Sequence, residues 1–376
     1  MQQTVVRART AADLLALVPS LVGMAPRRSL VLVVFHGSRT MGALRLDLPQ
    51  ADPARDLAGH AVGTVCRLDG ADGVVPVVYS DDPFPQAIGP SRALLDDLLT
   101  AARRAGLRVK DALCVAADGY GSLLDPELPH AGRPLGELPE LSGLPPLLDL
   151  EAATRLDDIP EEDRRRFLAR VRRSARATGR SGRTVEGVLS AADPVGAIER
   201  ALDLDRLDPL PVPVIAALAD LPVLRDLVLL QIGWGPVFGA AVLARTLLPA
   251  EEPLGPEEAP GLAFCGGDMP RPDPERIERA IELLRVTAAH LPERHRAPLL
   301  TMLAWLHWAL GRGSVAGRIV DAARAIDPRY GLAELLARML GAGMLPEWAY
   351  RAEPVGEVGR LWARRLGRPD ADGATP

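Results

Sequence analysis

Between Ala297 and Tyr330 the chain reads as two short helices folded back on each other, and this hairpin constrains the fold more than any other stretch. The first helix sets Leu300, Leu303, Ala304, His307 and Leu310 on one stripe. Gly311 and Gly313 interrupt it, and a second helix carries Ala316, Val320 and Ala323 up to an Asp327-Pro328 stop. A helical pair of this kind buries one face only against a neighbour, so it predicts further helices beside it. It points to stacking, docking and partner binding rather than bond-making. Ala280, Leu284 and Pro292 recur as Ala316, Val320 and Pro328, each at an offset of 36 residues, close to the period of helical-pair arrays. Two imperfect copies are too few for a solenoid and enough for a docking module.

The N-terminal part follows a different rhythm. Thr10 and Asp13 can form a capping box for a helix through Leu17; Gly23 and Pro26 then turn the chain into Ser29 to Phe35, a continuous apolar run suited to a buried strand. A hairpin-like return follows from Met41 to Leu48. Asp52-Pro53 opens a helix to about Arg67, Val74 to Tyr79 forms a strand, Ser91 caps a helix carrying Leu94, Leu95, Leu98, Leu99 and Ala102 on one face, and Val109 to Ala117 supplies a fourth strand. This alternation predicts a mixed open α/β sheet covered by helices, because the first two strands are too close for a parallel crossover. After Gly121 the pattern dissolves into Pro- and Gly-rich sequence as far as Leu150. From Ile159 on the chain is helical, with a Pro- and Glu-rich linker from Leu248 to Pro260. The expected organisation is an α/β sheet domain over residues 1–150, a helical segment over 151–250, a helical module over 265–350 and a disordered tail over 366–376.

Composition excludes several classes. A formal charge of −5 and a pI near 5.8 argue against a globally basic surface for nucleic acid, and Lys110 is the only lysine. Arginine in place of lysine, with many alanines and prolines, is the imprint of a GC-rich genome. Cys66, Cys114 and Cys265 match no disulfide or zinc spacing, so reduced thiols, a cytoplasmic location and no cofactor are expected. The N-terminus lacks the long apolar run of a secretory signal. Leu227 to Ala244 is uncharged and approaches spanning length, but Gly233-Trp234-Gly235-Pro236 breaks it, which predicts two buried helices and no membrane span.

Four aspartates form the best candidate active site. Asp47, Asp81, Asp82 and Asp118 all fall at or just beyond predicted strand ends, where open α/β sheets place ligand- and metal-binding carboxylates. Aspartate before Leu-Pro, Asp-Pro or Gly also makes turns, and that simpler role competes with the catalytic one. Ser29 and His36 could be written into a hydrolytic triad, but no GxSxG elbow surrounds Ser29, which better caps the turn after Pro26, while His36 ends its strand in solvent. Cys265-Gly266-Gly267-Asp268 lacks the lysine of a P-loop. The arginines from Arg164 to Arg180 follow a block of acids, so a solvated helix with dipole complementarity and i,i+4 pairs accounts for them without nucleic acid. Trp305, Trp308 and His307 share the first helix of the hairpin. Aromatics so spaced are usually core, yet one tryptophan can face a groove, which makes these three residues the partner-binding candidates.

Ala12-Asp13-Leu14-Leu15, Val18-Pro19, Ser29-Leu30-Val31 and Leu44-Arg45-Leu46-Asp47-Leu48-Pro49 together resemble the opening of the actinobacterial family called domain of unknown function 4192. The resemblance continues through Asp111-Ala112-Leu113, Leu224-Arg225-Asp226, Pro272-Asp273 with Arg276, and Ala304-Trp305 with Trp308, Gly311 and Asp327-Pro328. Members of that family follow the fourth strand with an Arg-Ser-Tyr element and cysteines. This chain has Gly121-Ser122-Leu123, no cysteine from Leu124 to Leu135, and keeps the Gly132-Arg133-Pro134-Leu135 turn, so no metal or redox role carries over. The C-terminal hairpin itself resembles a tetratricopeptide unit. The leading expectation is a non-catalytic interaction or regulatory scaffold with a protein partner. Its rival is a metal- or nucleotide-dependent enzyme using the sheet-edge carboxylates.

Overall fold

The computed structural model describes residues 8–48, 54–144, 146–177, 193–203, 212–219, 221–247, 269–351 and 357–366. The chain divides into two units, Met1–Ala152 and Ala153–Pro376, and the expected segment 151–250 and module 265–350 lie together in the second. The predicted linker, the Cys265–Asp268 turn and the tail from 367 fall outside the described residues.

The first unit begins with α1 (Ala11–Val22). Asp13 N–H donates to Thr10 Oγ1 at 3.1 Å, and the Asp13 carboxylate accepts from Thr10 N–H at 3.0 Å, closing the predicted capping box. The helix runs through Pro19 to a left-handed Gly23 rather than stopping at Leu17, because Leu14, Leu15 and Val18 anchor it to the sheet. Next come β1 (Ser29–His36) and β2 (Arg39–Asp47), then α2 (Ala54–Cys66), β3 (Gly73–Tyr79) and α3 (Phe84–Arg104). Short strands complete the sheet: β4 (Arg108–Val109), β5 (Leu113–Val115), β6 (Gly119–Ser122) and β7 (Arg133–Pro134). Their order is β2-β1-β3-β5-β6-β7, with β4 beside β3. The pairs β1–β2, β1–β3, β5–β6 and β6–β7 are antiparallel and β3 is parallel to β4 and β5, so the sheet is mixed and open.

Alternate residues of β1 feed two cores. Leu30, Leu32 and Val34 pack with Val62 and Val65 of α2 and Leu95 and Leu98 of α3; Val31, Val33 and Phe35 pack with Leu14, Leu15 and Val18 of α1. Burial on both faces explains why the strand reads as an unbroken apolar run.

Three local expectations are corrected. Helix α3 begins at Phe84, not Ser91, which is buried mid-helix and accepts a hydrogen bond from Cys114 Sγ at 3.5 Å. The predicted fourth strand splits at Lys110-Asp111, where Asp111 turns its carboxylate onto Ala112 N–H and Ser122 Oγ. Gly119–Ser122, expected to lie between elements, forms β6, which with the two-residue β7 lies over the Phe84 ring, while the described remainder as far as Leu150 is irregular as expected apart from a 3-10 turn at Leu135–Glu137. A Cβ on Gly121 would stand 2.2 Å from Leu128 Cδ1, and one on Gly132, whose φ is +73°, would stand 2.8 Å from the ring.

The second unit is helical among its described residues. Helix α4 (Leu150–Thr154) crosses the division, and α5 (Glu161–Ala177), α6 (Pro194–Leu202), α7 (Val212–Ala219), α8 (Pro222–Trp234) and α9 (Pro236–Leu247) follow. Gly235, at φ +87°, makes the predicted break between α8 and α9, and no described helix is long and apolar enough to cross a membrane. Then come α10 (Pro274–His290), α11 (Ala297–Ala309), α12 (Gly313–Ile326), α13 (Gly331–Gly341), α14 (Glu347–Tyr350) and α15 (Glu357–Arg365). The predicted hairpin is α11–α12, turned by a left-handed Gly311. Its first helix, however, does not bury a single stripe: Ala297 and every residue from Leu299 to Ala309 are buried, as α8, α10, α12 and α13 pack around it. A helix apolar on all sides belongs in the middle of a bundle.

Candidate functional site

Sheet direction brings the four candidate aspartates to one edge. β2 and β3 both run against β1, and β5 runs with β3, so Asp47, Asp81, Asp82 and Asp118 all follow strand ends on the same side. Strand order then separates Asp47 from the rest, whereas Asp82 and Asp118 follow neighbouring strands, with Ala117 N–H donating to Asp82 O at 3.0 Å. Asp47 stands two strands from β3 and three from β5, roughly 10 and 14 Å at the spacing of a sheet.

Each carboxylate also has an intramolecular task. Asp47 receives Arg45 Nη2 at 2.7 Å; Asp81 lies 3.7 Å from Arg27 Nε; Asp82 accepts from Ser80 Oγ at 3.2 Å. Asp118 accepts the Phe84 backbone N–H at 2.7 Å. This last bond replaces the cap that Pro83 cannot supply at the start of α3. Among the described residues no group of three or more His, Cys, Asp or Glu side chains could hold a metal ion.

Ser29 and His36 sit at opposite ends of β1, roughly 23 Å apart for an extended strand, so they form no triad. His36 is exposed and its Nδ1 meets Gly70 O at 2.6 Å. Ser29 is fully buried with its Oγ unpartnered, which corrects its expected role as a turn cap. It lies in a row that the sequence did not announce. Pairing register sets Asp47, Ser29, Tyr79, Val115, Tyr120 and Arg133 side by side across six strands. Burial pushes both tyrosine phenols above their ordinary value, so they stay protonated donors. In the sequence the two tyrosines look like ordinary strand hydrophobes.

The partner-binding candidates Trp305, Trp308 and His307 are placed in the interior, exposed by 0%, 2% and 3%. All five tryptophans join one aromatic cluster in the second unit: Trp234 contacts Trp305 and Trp348 at 6.2 and 5.5 Å, Trp308 contacts Trp348 at 5.9 Å, and Phe238 links Trp362 at 4.4 Å. Trp308 Nε1 donates to Met344 O at 2.8 Å. The outward-facing anchor expected in a groove is therefore replaced by core packing, because α11 is enclosed on every side. His307 has no hydrogen-bond partner on either ring nitrogen, and burial, with Arg312 and Arg285 nearby, lowers its pKa to about 4.

Two polar networks stand beside this cluster. Arg276 grips Glu199 with both terminal nitrogens at 2.9 and 2.7 Å and donates to Ile232 O and Gln231 O; Gln231 in turn donates to Glu199 and Val195 O. Burial penalises the Glu199 carboxylate, yet the Arg276 and Gln231 hydrogen bonds hold it below its ordinary value. Arg225, 8% exposed, donates to Tyr330 Oη at 2.7 Å and pairs with Asp226 at 2.7 Å. Both networks tie distant helices together, and neither opens a reactive group to solvent.

The class thus defined is a mixed α/β sheet unit followed by a helical unit built round an aromatic core. The sequence profile described as Domain of unknown function (DUF4192) matches residues 12–232 and 271–347, and the chain belongs to that family. No curated protein and no solved structure matches it.

Proposed function

We propose that the chain is a non-catalytic interaction or regulatory scaffold acting on a protein partner in the cytoplasm, with α10 to α12 as a tetratricopeptide-like element of its helical unit. The carrying observation is that the sheet-edge carboxylates do not gather into one site: Asp118 is committed to capping α3, and Asp47 lies on the far side of β1 from the others, in an ion pair with Arg45. Asp118 would have to give up its cap bond to α3 before it could bind a metal or move a proton, and Asp47 stands at least two strands from the other three. Nucleic acid is a poor fit as partner, because Arg165 and Arg166 are paired along α5 with Glu161 and Glu162. The arginine-rich composition suits an actinobacterial source.

The test combines two measurements on the full chain. Mass spectrometry of the natively purified protein should find a stoichiometric protein partner. Titration with Mg²⁺, Mn²⁺, Zn²⁺ or nucleotides should leave the melting temperature within about a degree. A saturable rise abolished by Asp47→Asn or Asp118→Asn would replace the scaffold with the enzyme.

A further inference from the structure

Strand β2 is paired on one side only: β1 holds its inner edge, and no described strand holds the other. A long strand with an open edge is a template for another strand unless something blocks it. At its N-terminal end something does. The register shifts between Val34 and Phe35, so Met41 is the extra residue of a bulge between Thr40 and Gly42. Beyond Gly42 the strand is regular, and its sequence there is Leu44-Arg45-Leu46-Asp47-Leu48.

That segment is complementary to itself. Leu44 and Leu46 pair across β1 with Leu32 and Leu30, so they lie on the α2–α3 face, where with Leu48 they form the half-buried outer flank of the core. Arg45 and Asp47 lie on the α1 face opposite Val31 and Ser29. Two copies running antiparallel about a two-fold axis through Leu46 would set Leu46 against Leu46, Leu44 against Leu48, and Arg45 of each copy against Asp47 of the other. The same register that covers the apolar flank thus brings opposite charges together twice. Asp47 is 77% exposed on its side chain, whereas Arg45, 14% exposed, is fixed by Asp47 and by Arg27 O at 3.2 Å, so dimerisation would bring each exposed Asp47 to an arginine already held in place and extend one ion pair into a network of four charges. Shifting the axis by one residue, to Arg45, would instead place two arginines face to face, which costs association.

We propose that this protein forms a two-fold dimer in which the β2 strands of two copies pair antiparallel about Leu46, joining two sheets into one. The second copy is favoured as occupant because the segment supplies both halves of its own charge pattern. The inference does not depend on whether the chain is a scaffold or an enzyme.

The experiment is sedimentation equilibrium of the full chain across a dilution series, with charge variants. Wild type should be a dimer. Asp47→Arg and Arg45→Asp should each weaken association by at least about tenfold, because each sets like charges in opposition twice. The double swap Arg45→Asp with Asp47→Arg restores complementarity and should restore the dimer. Leu46→Cys should form an interchain disulfide on oxidation, because its Cβ meets its own symmetry mate, whereas Leu44→Cys, opposite Leu48, should not. A wild type that stays monomeric, a dimer indifferent to both single reversals, or equal cross-linking at positions 44 and 46 would overturn the proposal.

Discussion

His307 supplies a sharp test of the helical unit, because its burial has a calculable consequence for stability against pH. Its folded-state pKa is lowered to about 4 from an ordinary 6.5, first by burial and then by Arg312 and Arg285. Arg312 is paired with Glu278, and Arg285 donates to Arg155 O, so both cations are held in place. Between those two pKa values the unfolded chain binds a proton that the folded chain refuses. Stability therefore rises with pH through this window, and falls as pH drops from about 6.5 toward 4. The full shift corresponds to roughly 3 kcal/mol, of which about 2 kcal/mol is lost by pH 5.

All five tryptophans lie in the same unit, so urea unfolding followed by tryptophan fluorescence reports its stability directly. The comparison is wild type against His307→Leu at pH 7.5 and pH 5.0. Other titrating groups are common to both proteins, so the difference between their pH responses isolates His307. Wild type should lose about 2 kcal/mol more than the variant on acidification. At pH 7.5 the variant should be at least as stable as wild type, since it removes two buried nitrogens that have no hydrogen-bond partner. Equal losses in both proteins would refute the buried, uncharged histidine.

Three further outcomes are expected. Ala316→Leu should lower the stability of the helical unit by about 1–3 kcal/mol through overpacking of a fully buried position on α12, and an unchanged melting temperature would refute that packing. Arg276→Met should cost about 3 kcal/mol or more by leaving Glu199 partly buried without its cation, and adding Glu199→Gln should recover part of the loss in the same fluorescence assay. Gly132→Ala should destabilise the sheet unit by about 1–3 kcal/mol, because it combines a positive φ with a clash against Phe84; hydrogen exchange of β6 and α3 amides reads this where no tryptophan can.

Legibility in the sequence followed the range of the forces involved. Thr10 with Asp13, the apolar Ser29–Phe35 run, and the break at Gly233 to Pro236 act over a few residues, and the structure has the expected elements at each. The start of α3 is not legible locally because its cap is Asp118, 34 residues away, while Ser91 is a plausible local cap with no helix end to serve. The β6–β7 return is hidden for a similar reason. Its glycines look like punctuation until the Phe84 ring is placed against them. At the aspartate edge the sequence places each carboxylate at or beyond a strand end, but only the strand directions and order reveal the shared side and the distance between Asp47 and Asp118.

The tryptophans illustrate a different limit. Three-residue spacing places Trp305 and Trp308 near each other on α11, but whether they face a groove or a core depends on how many helices surround that one. The answer was present in Leu299, Met302, Leu306 and Ala309, which fill the supposed outer face with apolar side chains and leave no polar stripe. Many of the residues that carry the family resemblance prove to be caps, bridges and core: Asp13, Asp111, Arg225, Asp273, Arg276 and Trp308 each bind another part of their own unit. Such residues transmit a fold. Leu44 to Leu48 differs, because one side of its strand is held by β1 while no described strand holds the other. A self-complementary pattern on an edge that no described strand holds is where the proposed dimer would form.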